Sequence, residues 1–156
     1  MASTPLTIRE DDLASEPVRA LLSLHLWGMH ANSPPGHVFA LDLSGLKAPG
    51  VTVWTAWTGD DLAGIAALKA LPGGAGELKS MRTHPAHLRK GVAAALLAHI
   101  VQEARARGLT RLSLETGTGT AFEPALAFYG RHGFREGEAF GDYVKSDFNR
   151  FFHRDL

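Results

Sequence analysis

Apolar positions along this chain change period several times, and each change marks an element. Leu6-Thr7-Ile8-Arg9 alternates apolar and polar, which predicts a short first strand. From Pro17 to about Met29, Val18, Leu21, Leu22 and Leu26 share a helical stripe. Asp11 and Asp12 supply helix-start chemistry ahead of it, and Pro17 fits a first turn. Asn32-Ser33-Pro34-Pro35-Gly36 breaks the helix. Residues 37–50 show no clean period, and a short second helix around Leu41 to Leu46 is the element they allow.

Val51 to Thr58 is rich in β-branched and aromatic residues, Gly59-Asp60-Asp61 turns, and Leu62 to Leu71 runs apolar, so the pair reads as a hairpin. A second turn, Pro72 to Gly76, leads into Glu77-Leu78-Lys79-Ser80-Met81-Arg82-Thr83. Strict alternation would set Leu78, Ser80 and Arg82 on one face and Glu77, Lys79, Met81 and Thr83 on the other. Neither face is then purely apolar, as at an edge strand or beside a site. Lys90 to Arg107 carries the clearest helical stripe, Val92, Leu96, Ile100 and Ala104, widened by Ala93, Leu97 and Val101 and stopped by Gly108. A strand over Arg111–Glu115, a loop at Gly117–Thr120, a helix from Glu123 to His132 ended by Gly133, a strand from Phe134 and a last strand over Arg150–Arg154 complete the order. Hairpins in the first half and a strand–helix–strand crossover in the second predict a mixed sheet in an α/β chain of α+β type.

The 156 residues suit one domain, residues 1–156, and 45% apolar with 21% charged residues is ordinary for a globular chain. Sixteen basic and sixteen acidic residues balance, which argues against a nucleic-acid binder. There is no cysteine, so disulfides, thiolate zinc sites and cysteine nucleophiles are excluded. Neither a secretory leader nor a run of the ~20 apolar residues needed to span a membrane is found, so a cytoplasmic location without membrane contact is expected.

Charge is informative only locally, at Arg82, Arg89 and Lys90. Leu88-Arg89-Lys90-Gly91-Val92-Ala93 joins a strand to the start of a long helix. The free N–H groups of a first helical turn point outward, and the helix dipole adds about half a positive charge there. A glycine lets main chain approach a ligand, so the segment reads as a diphosphate cradle. His84 and His87 are three apart, but Pro85 keeps them off a shared helical face and no acidic partner is near, so no metal is expected. The glycines at 73, 74 and 76 lie in a turn between strands and do not form a dinucleotide fingerprint. Gly-x-x-x-x-Gly-Lys and Gly-x-Ser-x-Gly are both absent.

The order of elements, with these residues, resembles the GCN5-related N-acetyltransferase superfamily. The likeness covers nearly the whole chain and is most specific from Glu77 to Phe134. The family's acetyl-CoA loop reads Arg/Gln-x-x-Gly-x-Gly/Ala; Gly91 and Ala93 match it, while Leu88 replaces the first residue and Arg89 follows one place later. A second marker matches at Ala125, Tyr129, Gly133 and Phe134, with Phe122 where asparagine is common. The resemblance implies a largely antiparallel central sheet of six to seven strands flanked by about four helices. It implies acetyl-CoA as cosubstrate, held by Met81, Arg82, Thr83, Leu88, Arg89, Lys90, Gly91, Val92, Ala93, Phe122 and Tyr129. The implied reaction is acetyl transfer to a primary amine of a small molecule or peptide. Tyr129 aligns with the residue that protonates the leaving thiolate, and Glu77 with a general base; Glu115 is a second candidate base. His25, Trp27, His30, Asn32 and His37, with Phe140 to Tyr143 and its Asp142, are candidates for acceptor recognition. A homodimer follows from the likeness alone. The alternative is a catalytically silent CoA-binding sensor or interaction module on the same fold.

Overall fold

The computed structural model describes residues 5–35 and 43–156. Among the described residues seven strands form one sheet: β1 (Leu6–Glu10), β2 (Val51–Thr58), β3 (Asp61–Leu71), β4 (Ala75–Thr83), β5 (Arg111–Thr116), β6 (Arg135–Gly137) and β7 (Arg150–Asp155). Their spatial order is β1-β2-β3-β4-β5-β7-β6, and every neighbouring pair is antiparallel except β4–β5. The mixed sheet expected from the hairpins and the crossover is therefore present. Four helices, α1 (Glu16–Ala31), α2 (Leu43–Leu46), α3 (Val92–Ala106) and α4 (Glu123–Arg131), flank it among the described residues. The short helix expected from Leu41 begins at Leu43, and residues 41 and 42 lie outside the described segments.

Two apolar layers hold the helices. On one face Val92, Leu96, Leu97, Ile100 and Ala104 of α3 pack on Leu68, Leu78, Leu112 and Leu114, with Leu126, Phe128 and Tyr129 of α4 against the same cluster. On the other face Val18, Leu21 and Leu22 of α1 and Leu46 of α2 cover Val53, Trp57, Leu62, Ile65 and Ala67. The buried stripe of α1 is Val18, Leu21, Leu22 and His25 rather than ending on Leu26. A histidine thus occupies an inward position that an apolar residue would ordinarily fill.

Two irregularities shape the centre of the sheet. The parallel β4–β5 ladder spans only Ala75↔Arg111, Gly76↔Leu112 and Glu77↔Ser113, after which no pairing joins the two strands. Within β4, Ile65 pairs Arg82 while Ala67 pairs Lys79, so one extra residue is inserted opposite β3, and Ser80 takes φ 55°. A bulge of this kind reverses which side chains face which layer. Met81, not Ser80, continues the layer of Leu78 and packs on the α3 cluster. Arg82 lies instead against α1, its Nη1 3.6 Å from where a Cβ on Gly28 would sit. Strict alternation over 77–83 is corrected accordingly, and the bulge accounts for the mixed polarity of both faces.

Helix α3 seats closely on β3. A Cβ on Gly64 would fall 2.7 Å from Val92 Cγ1, 3.1 Å from the Arg82 carbonyl oxygen and 3.1 Å from Leu96 Cδ1. Because one of these neighbours is main chain, Gly64→Ala should destabilise the fold by about 1–3 kcal/mol in urea unfolding. An unchanged midpoint would mean that α3 shifts freely on the sheet.

Candidate active site

The end of β4 and the start of α3 are fixed by local chemistry. The His84 N–H donates to the Ala63 carbonyl at 2.8 Å, tying the strand end to β3. Pro85–His87 forms one 3₁₀ turn, with His84 Nδ1 accepting the Ala86 N–H at 3.1 Å. Arg89 at φ 62° and Gly91 at φ 79° then bend the chain into the helix. Gly91 is the N-cap, so the helix starts at Val92 rather than at the expected Lys90, and no side chain caps it. The first bond back to the cap is Ala95 N–H to the Gly91 carbonyl, 3.0 Å. The amides of Val92, Ala93 and Ala94 precede that bond and lack acceptors within the helix. Backbone of alternating hand followed by such amides is an anion-binding concavity.

A groove of about 730 Å³ opens at this point. Met81, Arg82, Thr83, Leu88, Arg89, Gly91, Val92 and Ala93 line one side, and Pro124, Ala125, Phe128 and Tyr129 the other. Lys90 is exposed and outside this lining, and Phe122 lines a neighbouring cavity instead. The residues present fit a long ligand with a diphosphate: bare helical amides and Arg89 at one end, apolar walls along its length. His84 and His87 are not among the residues lining this groove, and no group of three or more potential metal-ligating side chains occurs among the described residues.

The neighbouring cavity, about 200 Å³, lies where β4 and β5 have parted. Met81, Arg82, Ala121, Ala125 and Tyr129 line both spaces, so the two meet at Tyr129. Helix α4 fixes that tyrosine. Its carbonyl accepts the Phe134 N–H at 3.0 Å and the His132 N–H at 3.1 Å, and its ring sits edge-on to Phe128 and Phe134. Burial pushes its hydroxyl up to about 12, so it stays a phenol with a proton to give.

Acidic groups line the same cavity. Glu77 is buried, not the exposed residue that its place after a glycine-rich turn would suggest. Its Oε2 accepts from the Tyr143 hydroxyl at 2.5 Å and from Lys79 Nζ at 3.1 Å, and Lys79 Nζ also donates to the Tyr143 oxygen at 2.8 Å. Burial and the neighbouring Glu77 charge raise the Tyr143 hydroxyl, which therefore remains a donor. Glu115 lines the same cavity from β5. Burial raises its carboxyl to about 7, with Lys79 pulling down and Glu77 pushing up. His25 reaches the cavity from α1, and burial, reinforced by Arg82, lowers it to about 4 and keeps it neutral.

Of the other acceptor candidates, Asn32 lines this cavity, and its Nδ2 donates to the Gly28 carbonyl at 2.8 Å. Trp27 is 71% exposed, and His30 and Asp142 are exposed and outside the cavity wall. His37 lies outside the described residues. Alternation already sets Lys79 on the Glu77 face, where it pairs with that carboxylate; it did not place Ser80 or the Arg82 side chain here, because the bulge that turns them is invisible in a hydrophobic pattern.

The sequence pattern of the Acetyltransferase (GNAT) family matches residues 18–134. The chain belongs to that family. It is 50% identical over 145 residues to "Uncharacterized N-acetyltransferase YedL" of Escherichia coli (strain K12), covering 93% of this chain and 91% of the relative. It is 51% identical over 136 residues to "Uncharacterized N-acetyltransferase YsnE" of Bacillus subtilis (strain 168), covering 87% and 90%. The fold also matches the crystal structure of a Bacillus subtilis acetyltransferase in complex with CoA, with TM-score 0.73, 19% identity, and 97% and 99% of the two chains covered. The GNAT fold and acyltransferase class implied by the sequence resemblance are thus established. No helix among the described residues is long and apolar enough to cross a membrane.

The raised Glu115 carboxyl has a consequence for this GNAT domain. Its folded value, about 7, lies above the ordinary 4.5, so the fold prefers it protonated. Ionising it costs stability as pH rises through that window. Glu115→Gln should therefore gain melting temperature over the parent at pH 8 and gain little near pH 4. An equal gain at both pH values would place the carboxyl in water.

Proposed function

We propose that this GNAT chain moves the acetyl group of acetyl-CoA to a primary amine by direct attack on the thioester. The reading rests on one observation: a groove ending in bare helical amides meets a carboxylate-lined cavity at Tyr129. Arg89 and the amides of residues 91–94 hold the diphosphate, and the backbone of Met81 to Thr83 pairs with the peptide-like arm as an added strand would. Acetyl-CoA supplies an already activated acyl carbon. The protein's main contribution is then to fix two reactants together, which alone is worth ~7–11 kcal/mol.

Proton handling falls to two side chains. An alkyl ammonium near pKa ~10.4 must lose a proton before it attacks. Glu115, poised at about 7, accepts that proton at neutral pH. Glu77, aligned with the base position, has its Oε2 engaged by both Tyr143 and Lys79, and holds the cavity's charge in place instead. As the C–N bond forms and the C–S bond breaks, Tyr129 passes its phenolic proton to the leaving sulfur and is reprotonated from the released amine proton through solvent.

Thiol release over a panel of amines tests the reading. Tyr129→Phe should lower kcat by about 10²-fold while acetyl-CoA affinity in calorimetry stays near that of the parent. Comparable turnover would remove Tyr129 from the mechanism. The parent kcat/KM should rise with pH through about 7, and Glu115→Gln should lose that limb. A limb kept in Glu115→Gln and lost in Glu77→Gln would return the base role to Glu77.

A further inference from the structure

We infer that the acceptor is a small zwitterion, an amine that also carries a carboxylate, and that Arg82 is the side chain that reads the carboxylate. This rests on the transferase reading above and adds the class of acceptor. The argument begins with the charges facing the small cavity. Glu77 and Lys79 form an ion pair there. Two charged side chains are left over: Glu115 on β5 and Arg82 on β4. Neither makes a hydrogen bond or ion pair with any described residue, and they do not pair with each other. The planar guanidinium fork of an arginine suits a carboxylate.

Other groups favour the same ligand. His25 and Ser80 are each only 8% exposed, both line this cavity, and His25 Nδ1 and Ser80 Oγ have no hydrogen-bond partner. Buried polar atoms without partners are uncommon, and two that line one cavity mark where ligand atoms belong. His25 is neutral beside Arg82, so it adds no competing cation and can donate or accept. The absence of a side chain on Gly28 leaves the guanidinium room against α1. The cavity, at about 200 Å³, is below the usual range for drug-sized ligands, which suits a molecule the size of an amino acid. In this arrangement the ammonium sits by Glu115 and the carboxylate sits on Arg82, with His25 and Ser80 as neutral partners.

The test pairs α-, β- and γ-amino acids with their carboxamides, measured by thiol release with acetyl-CoA and by calorimetry on CoA-saturated protein. At least one acid should exceed its own amide by tenfold or more in kcat/KM. In Arg82→Gln that acid-to-amide ratio should fall toward one, and Arg82→Lys should restore part of it. Amines turned over with equal efficiency whether or not they bear a carboxylate would overturn the inference and leave the transferase reading intact. If no acceptor releases thiol, the transferase reading fails and calorimetry decides the subsite: carboxylate-dependent binding lost in Arg82→Gln supports it, and equal binding of acid and amide overturns it.

Discussion

The parting of β4 from β5 after three register pairs is the constraint on which the rest of this structure depends. A parallel pair at the centre of a sheet would ordinarily continue, because each main-chain group left without a partner inside a protein is costly. Here β4 stays paired to β3 as far as Thr83 while its other edge is released. Beyond that parting, the Ser80 bulge inserts one residue into β4 opposite β3. What opens is a space lined by Glu77, Glu115 and Tyr129.

Packing makes the opening durable. The α3 stripe is anchored by Val92, Leu96 and Ile100, all essentially inaccessible, and Gly64 allows the helix to seat against β3. The helix starts at Val92 with no side-chain cap, and its first residues line the groove. On the other face α1 sets His25 and Gly28 over Arg82. The bulge turns Arg82 toward α1 and Met81 toward the core.

Much of the architecture was legible because it is written in periodicity. The α3 stripe, the β2–β3 hairpin and the glycine stops at 108 and 133 all depend on neighbours in sequence, and they appear where expected. The loop from Leu88 to Ala93 was legible for the same reason: a glycine between a strand and an apolar helix constrains local main chain. The side-chain chemistry was harder to read. Glu77 could be matched to a base position, but its partner Tyr143, 66 positions away, was not legible. His25 was one of five acceptor candidates clustered in the chain, and the stripe drawn to Leu26 did not show that it alone of the histidines holds an inward position on α1 among the described residues. Arg82 was read with the basic cluster and the cofactor set, and simple alternation puts its side chain on the wrong face. Long-range pairing and a bulge are both invisible to a pattern counted along the chain.

The central claim is that one ligand bridges the freed edge of β4 and the bare start of α3. Amide hydrogen exchange with and without CoA tests it most directly. Slower exchange at both residues 81–83 and 92–94, with β1 unchanged, is the expected result. Exchange at those amides that is indifferent to bound CoA, or protection confined to some other part of the sheet, would contradict it.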